Sequence, residues 1–229
     1  MSASRSKPAS PPKIILVVDV GGTHLKLATT GTRKIIKLAS GPTMNAAQMA
    51  AAVRQAVVGI KYDAVAIGYP GPVIHNQPAL EPHNLGRGWV KFDFKTAFGR
   101  PVKIINDAAM QALGSHRGGR MLFLGLGTGL GSALVIDGHV LPLELAHLPY
   151  KKGRSYEEFL GTAGLKRLGK RKWRAQVLAV VGLLKKALLA DHVVLGGGNA
   201  RLIKEFPPGV ELGKNTNAIC GGYRLWHLA

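Results

Sequence analysis

The chain is poor in cysteine and contains no long hydrophobic run. Cys220 is the single cysteine among 229 residues, which excludes an internal disulfide and leaves a thiolate zinc site without its ligands. The longest apolar stretches, such as residues 177–184, are far shorter than the ~18 residues that a membrane-spanning helix requires. We therefore expect a globular protein of the cytoplasm that binds no membrane.

Acidic residues are also scarce, and the chain is strongly basic as a result. Twelve Asp and Glu stand against 31 Lys and Arg, which gives a formal charge of +19. Apolar residues make up 46%, too large a share for a disordered polycation. The positive charge is dense in residues 151–186, where eleven Lys or Arg stand against two Glu. A solvated basic face is the ordinary explanation of such a run, and a polyanionic partner is the alternative.

The order of apolar runs and glycine turns predicts two α/β lobes. The length suits one large domain or two small lobes. The strand–glycine turn–strand layout of residues 14–31 returns at residues 121–138, and such a repeat indicates two related lobes with a cleft between them. The predicted division is a basic tail at 1–12, an N-terminal lobe at 13–107 and a C-terminal lobe at 108–214, with a helix at about 215–229 that packs back on the first lobe.

Local patterns predict the elements of each lobe. Thr43 is the expected cap of the first helix, and Asp107 is placed to start the second. A loop rich in Pro, Gly and Asn, residues 69–88, has a length that is usually functional. Apolar runs predict strands and helical spacing predicts helices. The predicted strands are 13–20, 23–30, 33–40, 64–68, 101–105 and 192–198, and the helical segments are 44–60, 108–116, 150–189 and one that begins at Asn199.

Three glycine-rich turns are placed to bind phosphate. The first, residues 19–23, has the sequence DVGGT; the second is GLGTGLG at 125–131, and the third is GGG at 196–198. Backbone N–H groups in such turns can point at phosphate oxygens, and Asp19 can hold a magnesium ion through water. One such turn alone is more often an ordinary hairpin turn. Two opposed turns can bind a polyphosphate from both sides, and the third precedes a predicted helix whose N-terminus would favour an anion.

Asp107 and the pair Glu144 and His147 are the candidate chemical groups. Asp107 lies where a strand meets a helix, so it is either a helix cap or a general base that accepts a hydroxyl proton during attack on phosphorus. Glu144 and His147 lie three residues apart after a strand, where both could face the cleft. A structural histidine, or a metal site completed by a third ligand, is the alternative for this pair, although no cysteine cluster supports a metal site.

Seven motifs together resemble the ROK family of sugar kinases. The match runs from about Lys13 to the C-terminus, and LAHLPYKKGRSYEEFLG, GLKRLGKRKW and GGYRLW are most similar to the polyphosphate glucokinase branch. The resemblance implies an α/β fold of the actin-like ATPase-domain (ribonuclease H-like) type, with two lobes and a central cleft. It also implies phosphoryl transfer to the 6-hydroxyl of glucose or a close hexose. The motifs are DVGGTHLKLA, GYPGPV, NLGRGW, INDAAMQALG, GLGTGLGSALVIDG, ELAH and VVLGGGNA.

The resemblance assigns roles to individual residues of this sequence. Asp107 matches the catalytic base, and magnesium is the expected cofactor. The CxCGxxGC zinc signature of many members is absent between His147 and Glu158, so we expect no structural zinc. Glu157 is an alternative to Glu158 as the last sugar contact, and Ala146 replaces a glycine of the family's ExGH motif. The implied sugar contacts are Asn84, Asn106, Glu144, His147 and Glu158, and the implied phosphate contacts are Asp19, Gly21, Gly22, Thr23, Lys26, Gly127, Thr128, Gly129, Gly131, Gly196, Gly197 and Gly198.

The net charge bears on the phosphoryl donor. A long polyanion gains affinity from every phosphate that Lys or Arg neutralises, so the charge favours inorganic polyphosphate as donor, with ATP also accepted. A nucleic acid is a weaker hypothesis, because only Trp173 and Tyr156 lie near the basic run and no sequence-reading motif is present. A strictly ATP-dependent hexokinase and a catalytically idle sugar sensor are further alternatives. Residues 1–12 are too short for the helix-turn-helix of a repressor. The sequence does not determine whether glucose or mannose is the acceptor, nor whether the protein is a homodimer.

Overall fold

The computed structural model describes residues 12–32, 34–214 and 216–228, so the predicted tail lies outside the described residues except for Pro12. The strands are β1 (Ile15–Val20), β2 (His24–Thr29), β3 (Ile36–Ala39), β4 (Ala64–Tyr69), β5 (Val73–Ile74), β6 (Gln77–Pro78), β7 (Val102–Asn106), β8 (Arg120–Leu126), β9 (Leu130–Ile136), β10 (His139–Leu143), β11 (Pro149–Lys151), β12 (Arg154–Ser155), β13 (His192–Gly196) and β14 (Val210–Leu212). The helices are α1 (Ala46–Ala56), α2 (Phe94–Phe98), α3 (Asp107–Ser115), α4 (Tyr156–Leu160), α5 (Thr162–Ala187) and α6 (Asn217–Leu225).

The first five-stranded sheet has the order β3-β2-β1-β4-β7. Strands β1, β2 and β3 pair antiparallel, and β4 and β7 continue the sheet in parallel on the other side of β1. Strand β1 is buried along its whole length, as expected for a central strand with a continuous apolar sequence, and Asp19 is its one charged residue. Helices α1 and α2 pack on one face of this sheet.

The second five-stranded sheet repeats this plan with the order β10-β9-β8-β13-β14. Strands β8, β9 and β10 pair antiparallel, and β13 and β14 add in parallel beside β8. Helix α5 packs on one face of this sheet through Trp173, Val177 and Val181. The two sheets therefore correspond strand for strand, and each begins with a hairpin closed by a glycine turn.

Helices α3 and α6 lie between the two sheets and join their cores. Their apolar side chains form one buried cluster with residues of β1, β4, β8 and β13. Two glycines allow the helix backbones to touch, because a side chain at Gly114 would meet the Asn217 carbonyl and one at Gly221 would meet the Met110 carbonyl. Helix α6 also contacts β1 and β4, on the lobe against which the C-terminal helix was expected. Helix α3 therefore has little freedom to shift relative to either sheet.

Helix α1 is shorter than the predicted helix at 44–60 and has a different cap. Asn45, rather than Thr43, is the N-cap: its side chain accepts a hydrogen bond from the Gln48 N–H, and the Gln48 side chain accepts one from the Asn45 N–H. This reciprocal pair satisfies two amides that the helix cannot bond internally. Gly59, at a φ of 79°, turns the chain away after the last turn.

The helix predicted from Asn199 is wrong. The chain makes one 3-10 turn there, Gly198–Leu202, and then passes Pro207 and Pro208. Proline lacks the N–H that a continuing helix needs, so the segment stays extended and enters β14, which pairs in parallel with β13. Strand β14 is a short edge strand of three residues that the apolar pattern does not predict.

The segment predicted as helical over 150–189 begins with a hairpin instead. Strands β11 and β12 pair antiparallel, and their turn places Lys152 and Gly153 at positive φ. Helices α4 and α5 follow. Helix α5 is interrupted at Gly169, where φ is 70° and ψ is 159°, so its axis changes direction between its first two turns and its longer second part. A similar short hairpin, β5 and β6, occupies part of the loop predicted at 69–88.

Candidate active site

A cavity of about 490 Å³ lies between the two sheets, where both hairpin turns and the start of α3 meet. Eleven of the predicted site residues line it: Gly21, Gly22, Asn84, Asn106, Asp107, Gly127, Thr128, Gly129, Gly131, Glu144 and His147. Seven do not line it: Asp19, Thr23, Lys26, Glu158, Gly196, Gly197 and Gly198. The fold therefore brings the candidate base, both hairpin turns and most of the candidate sugar contacts to one cavity.

The first glycine turn joins β1 to β2 and offers backbone donors. The Gly21 N–H is bound to the His24 carbonyl at 3.1 Å, which closes the turn. Within the described part of the chain, the N–H groups of Gly22 and Thr23 make no hydrogen bond. Gly22 also packs against Asn84, whose Cβ would lie 3.0 Å from a Cβ added at Gly22. The turn therefore presents free N–H groups beside the loop that holds a sugar-contact candidate.

Asp19 and Lys26 form an ion pair next to this turn. The antiparallel register places them opposite each other, and Lys26 Nζ donates to Asp19 Oδ2 at 2.8 Å. The Asp19 side chain is only 7% exposed, whereas that of Lys26 is 38% exposed. Lys26 therefore compensates the nearly buried charge of Asp19. A phosphate that contacts Lys26 would share the ammonium group with Asp19.

The second glycine turn joins β8 to β9 and is fixed by hydrogen bonds from two side chains. The Gly127 carbonyl accepts from Thr162 Oγ1 at 3.0 Å and from Asn199 Nδ2 at 3.1 Å. The Gly127 N–H is bound to the Gly129 carbonyl at 3.1 Å, while the N–H groups of Thr128 and Gly129 make no hydrogen bond among the described residues. The two hairpin turns thus each present two free amides, the arrangement that suits phosphate oxygens.

The third glycine cluster supports the second turn and does not line the cavity. A side chain at Gly196 would meet the Phe123 ring, and one at Gly197 would meet the backbone of Leu126. Asn199, which follows the cluster, donates hydrogen bonds from its Nδ2 to the Gly127 carbonyl of the second turn and to Thr162 Oγ1. Since the predicted helix after this cluster is only a 3-10 turn, the proposed anion site at a helix N-terminus is not formed there.

Asp107 is the first residue of α3 and faces the cavity. The cap of α3 is Asn106, whose Oδ1 accepts from the Ala109 N–H at 3.0 Å, so Asp107 is not needed as the cap. Asp107 Oδ1 accepts from the Ala108 N–H at 2.7 Å. Burial, followed by the negative charges of Asp19 and Glu144, raises the pKa of Asp107 to about 7, against the opposing effect of the Ala108 amide. A carboxyl with this pKa exchanges a proton near neutral pH.

Asn106 has a structural task as well as its place on the cavity wall. Its Nδ2 donates to the Gly71 carbonyl at 3.2 Å, which ties α3 to the loop after β4. A side-chain amide has two N–H donors and an oxygen that can accept twice, so capacity remains for a ligand. We therefore expect Asn106 to position Asp107 in addition to any sugar contact.

Glu144 and His147 line the same cavity as Asp107. A 3-10 turn, Leu145–His147, places them on the same side, with His147 Nε2 3.6 Å from Glu144 Oε2. Their side chains are 54% and 71% exposed, so both have free polar atoms available. A structural role inside the core is therefore excluded for this histidine, and the pair is open to a polar ligand.

Glu81 was missed by sequence reasoning and organises the loop on which Asn84 lies. Its carboxylate accepts hydrogen bonds from the N–H groups of Gly88 and Trp89 at 3.0 and 3.1 Å, and a longer one from Val90. Burial alone would favour the protonated form, but the three amide donors, helped by a nearby arginine, lower the pKa of Glu81 below its ordinary value. The charged carboxylate therefore folds residues 81–90 into a tight loop against the cavity.

Glu157, rather than Glu158, is the glutamate of this segment that lines the cavity. Ser155 caps α4, and Glu158 completes the capping box by accepting from the Ser155 N–H at 2.8 Å. Glu157 Oε2 instead accepts from the Leu130 N–H of the second turn at 3.2 Å. The Ser-x-x-Glu spacing at 155–158 is a capping signal, and it could have separated the two glutamates from the sequence alone.

Gln111 is a second cavity residue that the sequence analysis missed. It lies four residues after Asp107 on α3, so the two side chains share one face of the helix. Its amide makes no hydrogen bond among the residues that the structure describes, and its Oε1 lies beside Gly196. The i, i+4 relation to a suspected base is the signal that would have identified it.

The donor set fits magnesium held together with a substrate. No group of three or more His, Cys, Asp or Glu that could bind a metal occurs in residues 12–32, 34–214 and 216–228. Asp19 Oδ1 makes no hydrogen bond with the described residues, so one carboxylate oxygen is available. Magnesium commonly binds through one or two carboxylates, several waters and substrate phosphates. A carboxylate of this kind suits such an ion better than a closed protein site.

Comparisons with known proteins agree on one family. The ROK family profile matches residues 15–142. The polyphosphate glucokinase of Mycobacterium tuberculosis (strain ATCC 25618 / H37Rv) is 26% identical over 216 residues, which cover 85% of this chain and 81% of that protein. The match to this relative therefore extends over both sheets.

Solved structures give the same result for the fold. The inorganic polyphosphate/ATP-glucomannokinase from Arthrobacter sp. strain KM has a TM-score of 0.79 at 22% identity, covering 95% of this chain and 99% of that chain. A ROK family glucokinase from Streptomyces griseus, in complex with glucose and AMPPNP, has a TM-score of 0.71 at 18% identity, covering 93% and 98%. At these identities the similarity establishes the architecture.

Proposed function

The chain belongs to the ROK family, and from this premise we propose that it phosphorylates glucose, or a close hexose, at the 6-hydroxyl. The predicted fold class, α/β of the actin-like ATPase type, is confirmed by the solved structures that the chain resembles. The proposed donor is inorganic polyphosphate, with ATP also accepted. Asp107 is the proposed general base. None of the described helices is long and apolar enough to cross a membrane.

The position of Asp107 is the observation that supports this proposal most directly. Asp107 shares the cavity with the two hairpin turns, which carry free amides, and with the polar groups of Asn84, Glu144 and His147. Burial and neighbouring negative charge raise its pKa to about 7. A general base is most effective when its pKa lies near the working pH. The cavity therefore combines a candidate base with groups that suit phosphate and groups that suit a polyol, which supports the proposal.

In the proposed step, Asp107 accepts the proton of the sugar 6-hydroxyl while the oxygen attacks the terminal phosphorus of the donor. The new O–P bond forms, the bond from that phosphorus to the bridging oxygen breaks, and the donor leaves one phosphate shorter. The free N–H groups of Gly22, Thr23, Thr128 and Gly129 would bind the non-bridging oxygens, whose charge must be stabilised in the transition state. Asn106 would hold Asp107 at the start of α3 during this step.

Magnesium is the cofactor that we propose for this reaction. Asp19, which has one carboxylate oxygen free of hydrogen bonds, would hold the ion, directly or through water. Bound magnesium neutralises charge on the donor phosphates. We also propose that the protein contains no structural zinc and acts in the cytoplasm, as its single cysteine suggests.

The donor proposal has two supports. The relative from Mycobacterium tuberculosis is named a polyphosphate glucokinase, and the similar Arthrobacter structure is that of a polyphosphate/ATP-glucomannokinase. The chain's own formal charge of +19 fits a long polyanion, because every phosphate contact with Lys or Arg adds affinity by releasing counterions. An enzyme that used ATP alone would have little need for this charge.

A coupled assay of glucose 6-phosphate formation tests the proposal. ATP and polyphosphate are supplied separately, with glucose or mannose as acceptor and with or without EDTA. We expect product with polyphosphate, loss of activity in EDTA and recovery on addition of magnesium. Elemental analysis of the purified protein is expected to find no stoichiometric zinc. Absence of any hexose phosphate with both donors, at protein concentrations that give a folded thermal transition, would refute the proposed function.

A further inference from the structure

A basic surface on helix α5 forms no ion pair with an acidic side chain of the described residues. We define the α5 basic surface by six residues: Lys166, Arg167, Lys170, Arg171, Lys172 and Arg174. All are exposed except Arg174, which is half-buried with its Nε unpaired. The ion pairs of the described residues are Lys26–Asp19, His147–Glu144 and Arg154–Glu158, so none involves this surface. Six cations within nine residues repel one another unless an anion lies among them.

The helix that carries this surface begins at the second glycine turn. Thr162, the first residue of α5, donates from its N–H to the carbonyls of Gly127 and Thr128 at 3.1 Å. Lys166 follows one helical turn later, and Arg174 lies beyond the interruption at Gly169. The bend at Gly169 divides the surface between two helical segments. The cations therefore start within one helical turn of a turn that offers free amides to phosphate.

One residue of the surface, Arg167, is held in place by helix α4. Arg167 Nη2 donates to the Glu158 carbonyl at 2.8 Å, and its guanidinium lies 5.0 Å from the centre of the Phe159 ring. Glu158 and Phe159 belong to α4, the helix on which the cavity-lining Glu157 lies. Arg167 thus connects the basic surface to the wall of the cavity, with N–H groups left for an anion.

The composition of the surface favours phosphate over bases as its ligand. Single-stranded nucleic acids bind proteins through basic grooves that also expose aromatic rings for stacking. Here Trp173, the one aromatic residue of α5, is fully buried and donates to the Leu160 carbonyl. Tyr156 is buried too and stacks on Tyr150. Within the described residues, the α5 basic surface offers charge without an aromatic platform.

We propose that the α5 basic surface is an extended binding site for inorganic polyphosphate, which holds the chain while its end occupies the cleft. This inference rests on the proposed function for the identity of the donor. ATP ends inside the cleft and cannot reach the surface, whereas a long polyphosphate extends past the second glycine turn. Binding along α5 raises the local concentration of chain ends at the cleft, as a second linked contact does in any bivalent ligand.

The test compares two triple variants with the same change in charge. Lys166→Gln/Lys170→Gln/Lys172→Gln removes exposed lysines of the surface. Arg167 is kept because it contacts α4, and Arg174 is kept because it is half-buried. The control, Lys61→Gln/Lys91→Gln/Lys95→Gln, removes three exposed lysines of the other lobe. Kinetics are measured with long-chain polyphosphate, tripolyphosphate and ATP, and direct binding of long-chain polyphosphate is measured by calorimetry at several salt concentrations.

We expect the surface variant alone to raise the KM and the Kd for long-chain polyphosphate at least about tenfold and to lower the slope of log Kd against log salt by roughly 2 to 3. The KM values for ATP and tripolyphosphate should stay within about twofold. An equal loss for all three donors, or an equal loss in the control variant, would overturn the inference. So would RNA or DNA that displaces polyphosphate at lower concentration. If no hexose is phosphorylated by the unmodified protein, the proposed function fails, while calorimetry still decides whether the surface binds polyphosphate.

Discussion

Lys26 is bound to Asp19 at 2.8 Å across the first hairpin, so the cation of the first phosphate turn is already paired with a nearly buried anion. Burial and then the negative charge of Asp19 raise the pKa of Asp107 to about 7. Without Lys26, the charge of Asp19 would act on Asp107 with less compensation. The ion pair therefore links the first turn to the protonation of the proposed base.

Lys26→Met is expected to move the acidic limb of the pH–rate profile to higher pH, by up to about one unit. A carboxylate in a more negative field holds its proton more tightly, so Asp107 needs a higher pH to become a base. The measurement is kcat against pH at saturating glucose and donor. Lys61→Met, an exposed lysine outside the cavity, is the control and should leave the limb unchanged. An acidic limb at the same pH in both variants would mean that Lys26 does not influence the base.

Asp107→Asn is expected to lower kcat by about 10² to 10⁴, the range that a general base contributes. The amide keeps the shape of the carboxyl, so hexose binding measured by calorimetry should change little. Turnover above about a tenth of the unmodified value would show that Asp107 is not the base.

Although Asp107→Asn is expected to lose activity, it is expected to gain stability at neutral and alkaline pH. The pKa of Asp107 is raised in the folded protein, so the folded state binds its proton more tightly than the unfolded chain does. Stability from this group is present at low pH and is lost as the pH rises through about 7. Asp107→Asn should therefore have a higher Tm than the unmodified protein at pH 8, and the difference should shrink at pH 5. A Tm difference that is constant across this pH range would contradict the raised pKa.

The central strands and the hairpin turns were predictable because their sequence signals are strong and local. The continuous apolar run of β1 and the repeated strand–glycine turn–strand layout both correspond to observed elements. Helix ends were less predictable. Thr43 and Asn45 are both good caps, and only the hydrogen bonds of Asn45 and Gln48 decide between them. The helix expected from Asn199 failed because pairing of β14 with β13 outweighs the local pattern.

The positions of site residues at strand ends could be predicted from the order of the elements along the chain. The direction in which individual side chains point could not. The hairpin turns, Asp107 and Glu144 meet in one cavity as expected from strand ends in a two-lobed fold. Glu157 and Glu158 are neighbours in sequence, and only the capping box at Ser155 determines which one faces the cavity. The third glycine cluster serves close packing of β8 and β13, a demand that sequence spacing cannot distinguish from phosphate binding.

Glu157→Gln is expected to raise the KM for glucose by about tenfold, because a charged hydrogen-bond acceptor on the cavity wall becomes a neutral one. The amide oxygen can still accept from the Leu130 N–H, so the second turn should be preserved. Glu158→Gln is the matched control, since Gln also closes a capping box and Glu158 does not line the cavity. Steady-state kinetics with saturating donor separate the two. A larger effect from Glu158 than from Glu157 would reverse our assignment of these glutamates.

The contact between α3 and α6 gives the last prediction. Gly114→Ala should lower the free energy of unfolding by about 1 to 3 kcal/mol, because the added methyl group would meet the Asn217 carbonyl and force the helices apart. Asp107 begins the same helix, so kcat should fall as well. Gly182→Ala is the control: it lies in α5, a side chain there meets nothing within 4 Å, and the better helix propensity should raise the free energy of unfolding by about 0.5 to 1 kcal/mol. Urea denaturation and kcat are measured for both variants. If Gly114→Ala is as stable and as active as Gly182→Ala, the close approach of α3 and α6 does not hold Asp107 in place.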